Sequence, residues 1–190
     1  MLRWICASLL CLGAATNAAA QGAGDSTVVI LVRHAEKGGN PLSGNPSLTP
    51  AGRNRALALY QAVKGRHVDA IVTTQLRRTQ QTALPTADSL HLTPRIVPMW
   101  GRGDANAQAV AELIRHDYAG KTVLVVGHQT TVPRILKDLG GPAFGDICSP
   151  AYGYMFVLVL HPAATPTLTR LHYGADDPPG RAECTEGIHR

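Results

Sequence analysis

The sequence predicts an α/β fold: a three-layer α/β/α sandwich around a mostly parallel central sheet. Three observations lead there. Short runs rich in β-branched residues alternate with longer amphipathic stretches along most of the chain, the pattern of repeated strand–helix units. The first run, Thr27-Val28-Val29-Ile30-Leu31-Val32, is apolar throughout instead of alternating, as expected of a strand covered on both faces. Thr49-Pro50 then reads as a helix start, with Thr as N-cap and Pro at the first helical position.

The remaining elements follow in order. A Gly/Asn/Pro/Ser loop runs from Gly38 to Ser47. Ala56, Leu57, Leu59, Tyr60 and Val63 give the first helix its apolar stripe, and Gly65 supplies a stop. Val68 to Thr73 is a second strand. A helix from Arg78 reaches about Leu90 and is expected to break or restart at Pro85. Arg95 to Val97 forms a short strand, Asn106 to His116 a helix with Val110, Leu113 and Ile114 on one face, Lys121 to Val126 a buried strand, and Thr130 to Leu139 a helix. Tyr154 to Leu160 and Leu168 to Tyr173 are two late strands, read as antiparallel neighbours, and the Pro/Gly-rich tail from about Ala175 is irregular.

The 190 residues suit one domain, expected over residues 21–190. Residues 1–20 read as a signal peptide: Arg3 precedes an apolar run, and Ala18-Ala19-Ala20 offers a small-residue cleavage site before Gln21. That run is too short to span about 30 Å of hydrocarbon, so no stable membrane span is expected, and the protein is read as exported, to the periplasm or beyond. Of the four cysteines, Cys6 and Cys11 leave with the leader, while Cys148 and Cys184 can form a disulfide in an oxidising compartment. The formal charge is +5, one unit of it from Arg3, and no Lys/Arg run accompanies it. A nucleic-acid partner is therefore not indicated, whereas a small anionic substrate is favoured. Oligomeric state is left open.

In open α/β sheets, ligands sit beyond the carboxyl ends of the strands. There the sequence places Arg33 and His34 after the first strand, Thr74 with Arg77 and Arg78 after the second, and Gly127 and His128 after the strand ending at Val126. Two histidines and at least two arginines can thus converge. Phosphoryl transfer needs fixed donors and positive charge around phosphorus. Arginine binds phosphate with a planar fork, and a neutral imidazole can attack it.

Four segments in order resemble the histidine phosphatase (phosphoglycerate mutase-like) superfamily. Leu31-Val32-Arg33-His34-Ala35-Glu36-Lys37 is close to its strand-end Arg-His-Gly signature, and Leu48-Thr49-Pro50-Ala51-Gly52-Arg53 to its Leu-Thr-x-x-Gly helix start. Thr73-Thr74-Gln75-Leu76-Arg77-Arg78-Thr79-Gln80-Gln81-Thr82-Ala83 is similar to its Ser-Ser-x-x-x-Arg-Ala-x-x-Thr-Ala segment. Val123 to His128 matches its second-histidine strand end. The resemblance implies a phosphoglycerate mutase-like fold and a small exported member of that superfamily. It makes His34 the phosphorylated nucleophile, with Arg33, Arg78 and His128 binding the phosphoryl group, and it requires no cofactor or metal. Arg77 falls on a variable position. The family's proton-donating carboxylate has no secure counterpart; Asp104 is the better candidate, with Glu36 and then Glu112 behind it. Ala35 stands where the family has glycine, a change that costs little if its φ is negative.

Other functions are distinguishable. His34-x-Glu36 matches half of a zinc deaminase signature, but the Pro-Cys-x-x-Cys half is absent, as is any His-Glu-x-x-His. A catalytically silent module that binds phosphorylated ligands would keep the arginines without needing His34 to attack. A phosphomutase would need a phosphorylated cofactor pool, which an exported protein lacks.

Overall fold

The computed structural model describes residues 25–39 and 44–177. The predicted leader, Cys184 and the rest of the tail beyond Asp177 lie outside the described residues. The elements run β1 (Thr27–Arg33), α1 (Pro50–Val63), β2 (Ala70–Thr73), α2 (Arg77–Leu90), β3 (Arg95–Ile96), α3 (Asp104–Asp117), β4 (Thr122–Gly127), α4 (Thr131–Asp138), β5 (Tyr154–Leu160) and β6 (Thr167–His172). The strands form one six-stranded sheet in the order β3-β2-β4-β1-β5-β6. β1 to β4 are mutually parallel, whereas β5 runs antiparallel to β1, and β6 to β5. The sheet is thus mixed, with its parallel part carrying the site. None of the described helices is long and apolar enough to cross a membrane.

The continuous apolar character of β1 follows from its central place. Alternate side chains point to opposite faces. Val29 and Leu31 enter a core with Val110 and Ile114 of α3 and Ile135 and Leu136 of α4. Ile30 and Val32 enter another with Leu59 and Val63 of α1 and Ala83 and Ala87 of α2. All four β1 residues are fully buried, each contributing roughly 1.5–3 kcal/mol relative to exposure.

Two local features bear on the site. Thr49 caps α1 as expected, its Oγ1 accepting from Gly52 N at 3.0 Å, while its own N–H donates to Glu36 O. The start of α1 therefore lies across the chain just after His34. A Cβ on Gly52 would come within 2.2 Å of Glu36 O, so only glycine fits. The second feature corrects an expectation: α2 is not broken at Pro85 but runs through it. Its buried stripe of Thr79, Thr82, Ala83, Thr86 and Ala87 continues on both sides of the proline. Packing along that stripe outweighs the one backbone hydrogen bond that proline removes. The helix ends instead at His91, in the left-handed conformation with φ 54°.

Candidate active site

The carboxyl ends of β1, β2 and β4 bring together the residues singled out above. β1 and β4 pair in register from Val28 opposite Thr122 to Arg33 opposite Gly127. One further bond, from His34 N to Gly127 O at 2.9 Å, extends the ladder. It sets His34 beside His128, with ring centroids 5.4 Å apart. Gly127 is required here because a Cβ would meet Thr131 Oγ1 at 2.7 Å. That hydroxyl accepts the His128 backbone N–H at 2.9 Å, fixing the chain at the start of α4.

His34 is buried, and its Nδ1 lies 2.8 Å from Ala35 O. A carbonyl can only accept, so Nδ1 carries the proton and Nε2 of the neutral ring keeps its lone pair. Burial pushes the His34 imidazole down to about 2; the Ala35 carbonyl opposes this, and His128, Arg33 and Arg78 reinforce it. His128 is held at about 3, first by burial and then by Arg78 and Arg33. Both rings are therefore neutral at pH 7 in the unliganded protein, and His128 adds no charge of its own. His128 Nε2 is 3.1 Å from Thr74 Oγ1, which lies 2.9 Å from Thr79 Oγ1.

Arg33 is 4 % exposed. Its Nη1 donates to the carbonyls of Cys148 and Ala151, each at 3.0 Å, and its Cζ sits 4.0 Å above the centre of the Tyr152 ring. Burial pulls its guanidinium below the ordinary value, while Tyr152, Asp177 and Glu36 oppose that. Arg78, at the start of α2, is close enough to act on both histidines and on Arg33. The Nε atoms of Arg33 and Arg78 are buried with no hydrogen-bond acceptor among the described residues. Each such donor costs about 1–3 kcal/mol when unpaired. A tetrahedral oxyanion would supply acceptors and opposite charge to both. Arg77 is exposed, with its backbone N–H on Asn45 Oδ1.

The candidate carboxylates are placed differently. Asp104 opens α3 with its side chain 68 % exposed, and Arg134 Nε donates to it at 2.6 Å. Glu36, the weaker donor candidate, receives the buried Arg55 at 2.8 Å. Ala35 is well accommodated: His67 and His91 are the non-glycine positions with positive φ among the described residues. Cys148 is disulfide-bonded, while its expected partner, Cys184, lies outside the described residues.

Arg55, Tyr152, Thr74 and Asp177 were not assigned roles from sequence. Apart from His172, five positions from Asp177, the side-chain partners that tie Arg55, Tyr152 and Asp177 to the site are remote in sequence, as in Arg55 with Glu36 and Asp177 and Tyr152 with Asp177, and no motif flags them. Thr74 stands past the second strand end and within the Ser-Ser-like segment, so its place was legible from sequence, but its contact with His128 was not.

The comparisons agree with this geometry. Residues 29–101 match the sequence model of the histidine phosphatase superfamily, branch 1. A PE-PGRS family protein, PE_PGRS11 of Mycobacterium tuberculosis, is 34% identical over 111 residues, covering 55% of this chain and 19% of that protein. Phosphoserine phosphatase 1 of Hydrogenobacter thermophilus is 38% identical over 69 residues, covering 34% of this chain and 33% of its own. The chain thus spans a third or less of either curated relative. Among solved structures, a candidate phosphohistidine phosphatase SixA from Nakamurella multipartitia aligns with TM-score 0.59 and 27% identity, over 81% of this chain and 100% of that one. A mycobacterial glucosyl-3-phosphoglycerate phosphatase aligns with TM-score 0.60 and 17% identity, over 80% and 100%. At that identity it speaks for the fold alone.

Proposed function

From a chain that has the fold of the histidine phosphatase superfamily and its signature segments, we propose an exported phosphomonoester hydrolase working through a phosphohistidine on His34. The observation that carries this reading is the bond from His34 Nδ1 to Ala35 O, which leaves Nε2 as a buried, unprotonated nucleophile among two arginines and a second histidine.

In the first half-reaction the Nε2 lone pair attacks phosphorus, the bond from phosphorus to the leaving oxygen breaks, and that oxygen takes a proton from water as the alcohol departs. In the second, water attacks the phosphohistidine, the P–N bond breaks, and inorganic phosphate leaves with the nitrogen lone pair restored. Arg33 and Arg78 neutralise the charge on the equatorial oxygens, and His128 contributes an N–H. Dianionic phosphate raises the proton affinity of the nearby imidazoles, so His128 gains its charge on substrate binding. No metal is needed for these steps.

Asp104 and Glu36 are each engaged by an arginine. The reading therefore favours small phosphorylated substrates whose leaving group departs without a carboxylic acid's help. The likeness at 27% identity to a candidate phosphohistidine phosphatase supports the phosphatase reading. Cleavage before Gln21 and a Cys148–Cys184 bridge belong to the proposal as well; N-terminal sequencing and non-reducing peptide mapping of the exported protein test them.

The deciding experiment is labelling with a radioactive phosphomonoester, with and without chelator. Acid-labile, base-stable label on wild type, absent from His34→Ala and indifferent to chelator, is the expected result. Normal turnover in His34→Ala would refute the mechanism. Substrate binding with no label and no turnover would favour the silent module.

A further inference from the structure

Arg33 owes its orientation to one loop, residues 148–152, whose carbonyls accept from Nη1 and whose Tyr152 ring lies under the fork. What holds that loop is remote in sequence. Asp177, with its side chain 14 % exposed, accepts from Tyr152 N at 2.8 Å and from Gly153 N at 2.8 Å. Asp177 is held in turn by Arg55 Nη2 at 3.2 Å. Arg55 also donates from Nη1 to the carbonyls of Tyr173 and Ala175, each at 3.0 Å, and from Nε to Glu36 Oε1 at 2.9 Å. One guanidinium on α1 therefore ties together the chain two residues past His34, the strap from Tyr173 to Asp177, and, through Asp177, the loop that grips Arg33.

We propose that Arg55 and Asp177 are positioning residues for the phosphoryl clamp, holding the Arg33 fork through loop 148–153 in the orientation that receives the phosphoryl group. Neither residue touches the reacting atoms. The inference rests on the reading of Arg33 as a phosphate ligand. Charge-assisted bonds from a carboxylate to two consecutive backbone N–H groups are directional, so they fix the peptide plane that carries the Ala151 carbonyl, and through Ala151 N, which donates to Cys148 O at 2.8 Å, they steady the Cys148 carbonyl as well. Loss of that anchor loosens a bound geometry more than it alters the attack by His34, whose own bonds run to Ala35 and Gly127.

The test uses the full exported chain, with inorganic phosphate binding followed by calorimetry, p-nitrophenyl phosphate kinetics, and melting curves to verify folding. Asp177→Ala is expected to raise both the phosphate Kd and KM about tenfold while kcat stays within about threefold, the split expected when binding geometry is lost but the chemical step is not. Asp177→Asn keeps an oxygen able to accept from Tyr152 and Gly153 but loses the ion pair with Arg55, so it should recover part of the affinity. Wild-type phosphate affinity in folded Asp177→Ala would overturn the proposal, as would equal losses in both variants, because charge and not the two N–H bonds would then matter. Should Asp177→Ala fail to fold, Asp177→Glu replaces it, keeping the charge but moving the acceptor by one methylene. Weaker phosphate binding there supports the strap, and unchanged binding overturns it. If wild type neither turns over p-nitrophenyl phosphate nor takes up label, the phosphatase reading fails, yet the calorimetry still judges the strap.

Discussion

Arg33 and Arg55 are equally buried, each 4 % exposed, and their surroundings are opposite. Arg55 faces two carboxylates and two carbonyls. Burial pulls its guanidinium down, but Glu36 and Asp177 more than restore it. Among the described residues, Arg33 has carbonyls and an aromatic face as its bonded neighbours and its Nε finds no acceptor, and its guanidinium is pulled down on balance. A buried charge matched by the protein's own anions serves the fold. One left unmatched is available to an anion from outside. Burial alone does not tell the two apart; the inventory of partners does.

Several measurements would break or sharpen that contrast. The largest effect is expected for His34→Ala, with turnover falling by about 10⁴-fold or more and no change in melting temperature that would signal unfolding. Arg33→Met comes next: turnover should drop by about 10²–10³-fold, yet urea denaturation should show unchanged or greater stability, because a poorly compensated buried charge has been removed. Arg55→Met should do the reverse to stability, costing about 3–5 kcal/mol by stranding Glu36 and Asp177. If both arginine variants destabilise equally, the contrast collapses.

A smaller effect is expected from pH. His34 and His128 are pushed down to about 2 and about 3 in the folded chain, against about 6.5 when unfolded. The unfolded state therefore binds more protons between those limits. Stability is full above pH 7 and is lost as pH falls below about 6.5, by about 2–4 kcal/mol between pH 7 and pH 5 for the two together. Denaturation midpoints at the two pH values measure it, and His128→Gln should remove roughly half of the slope. The smallest effect is expected at Asp104. Its exposed pair with Arg134 contributes at most about 1 kcal/mol, so Asp104→Asn should scarcely move either melting or turnover. A loss of kcat beyond tenfold would instead identify Asp104 as the proton donor.

Much of the fold was legible because it is written in short-range chemistry. The apolar run at Thr27 to Val32, the Thr49-Pro50 cap and the paired late strands each depend on neighbours close in sequence, and each appears as read. Pro85 was misread because local propensity argues for a break, while the packing of Thr82, Thr86 and Ala87 decides the outcome. At the site, the convergence of Arg33, His34 and His128 followed from strand-end logic, which also offered Arg77 and Arg78 together; only the family resemblance separated those two. The engagement of Glu36 by Arg55, and of Asp104 by Arg134, followed from neither. Those pairs join residues 19 and 30 positions apart with no spacing rule between them, and which carboxylate meets which arginine is fixed only by tertiary packing.

The backbone link between His34 and Gly127 places a limit on how this scaffold can change. The two imidazoles stand on adjacent strands, so their separation is inherited from the roughly 4.7–4.9 Å repeat of hydrogen-bonded chains and not from any side chain that mutation could resize. Altering it would mean slipping a whole strand against its neighbour, which would turn every buried residue of that strand to the wrong face. New specificities on this framework must therefore arise away from this pair, in side chains that no strand pairing fixes, while the pair at the centre keeps a fixed gauge.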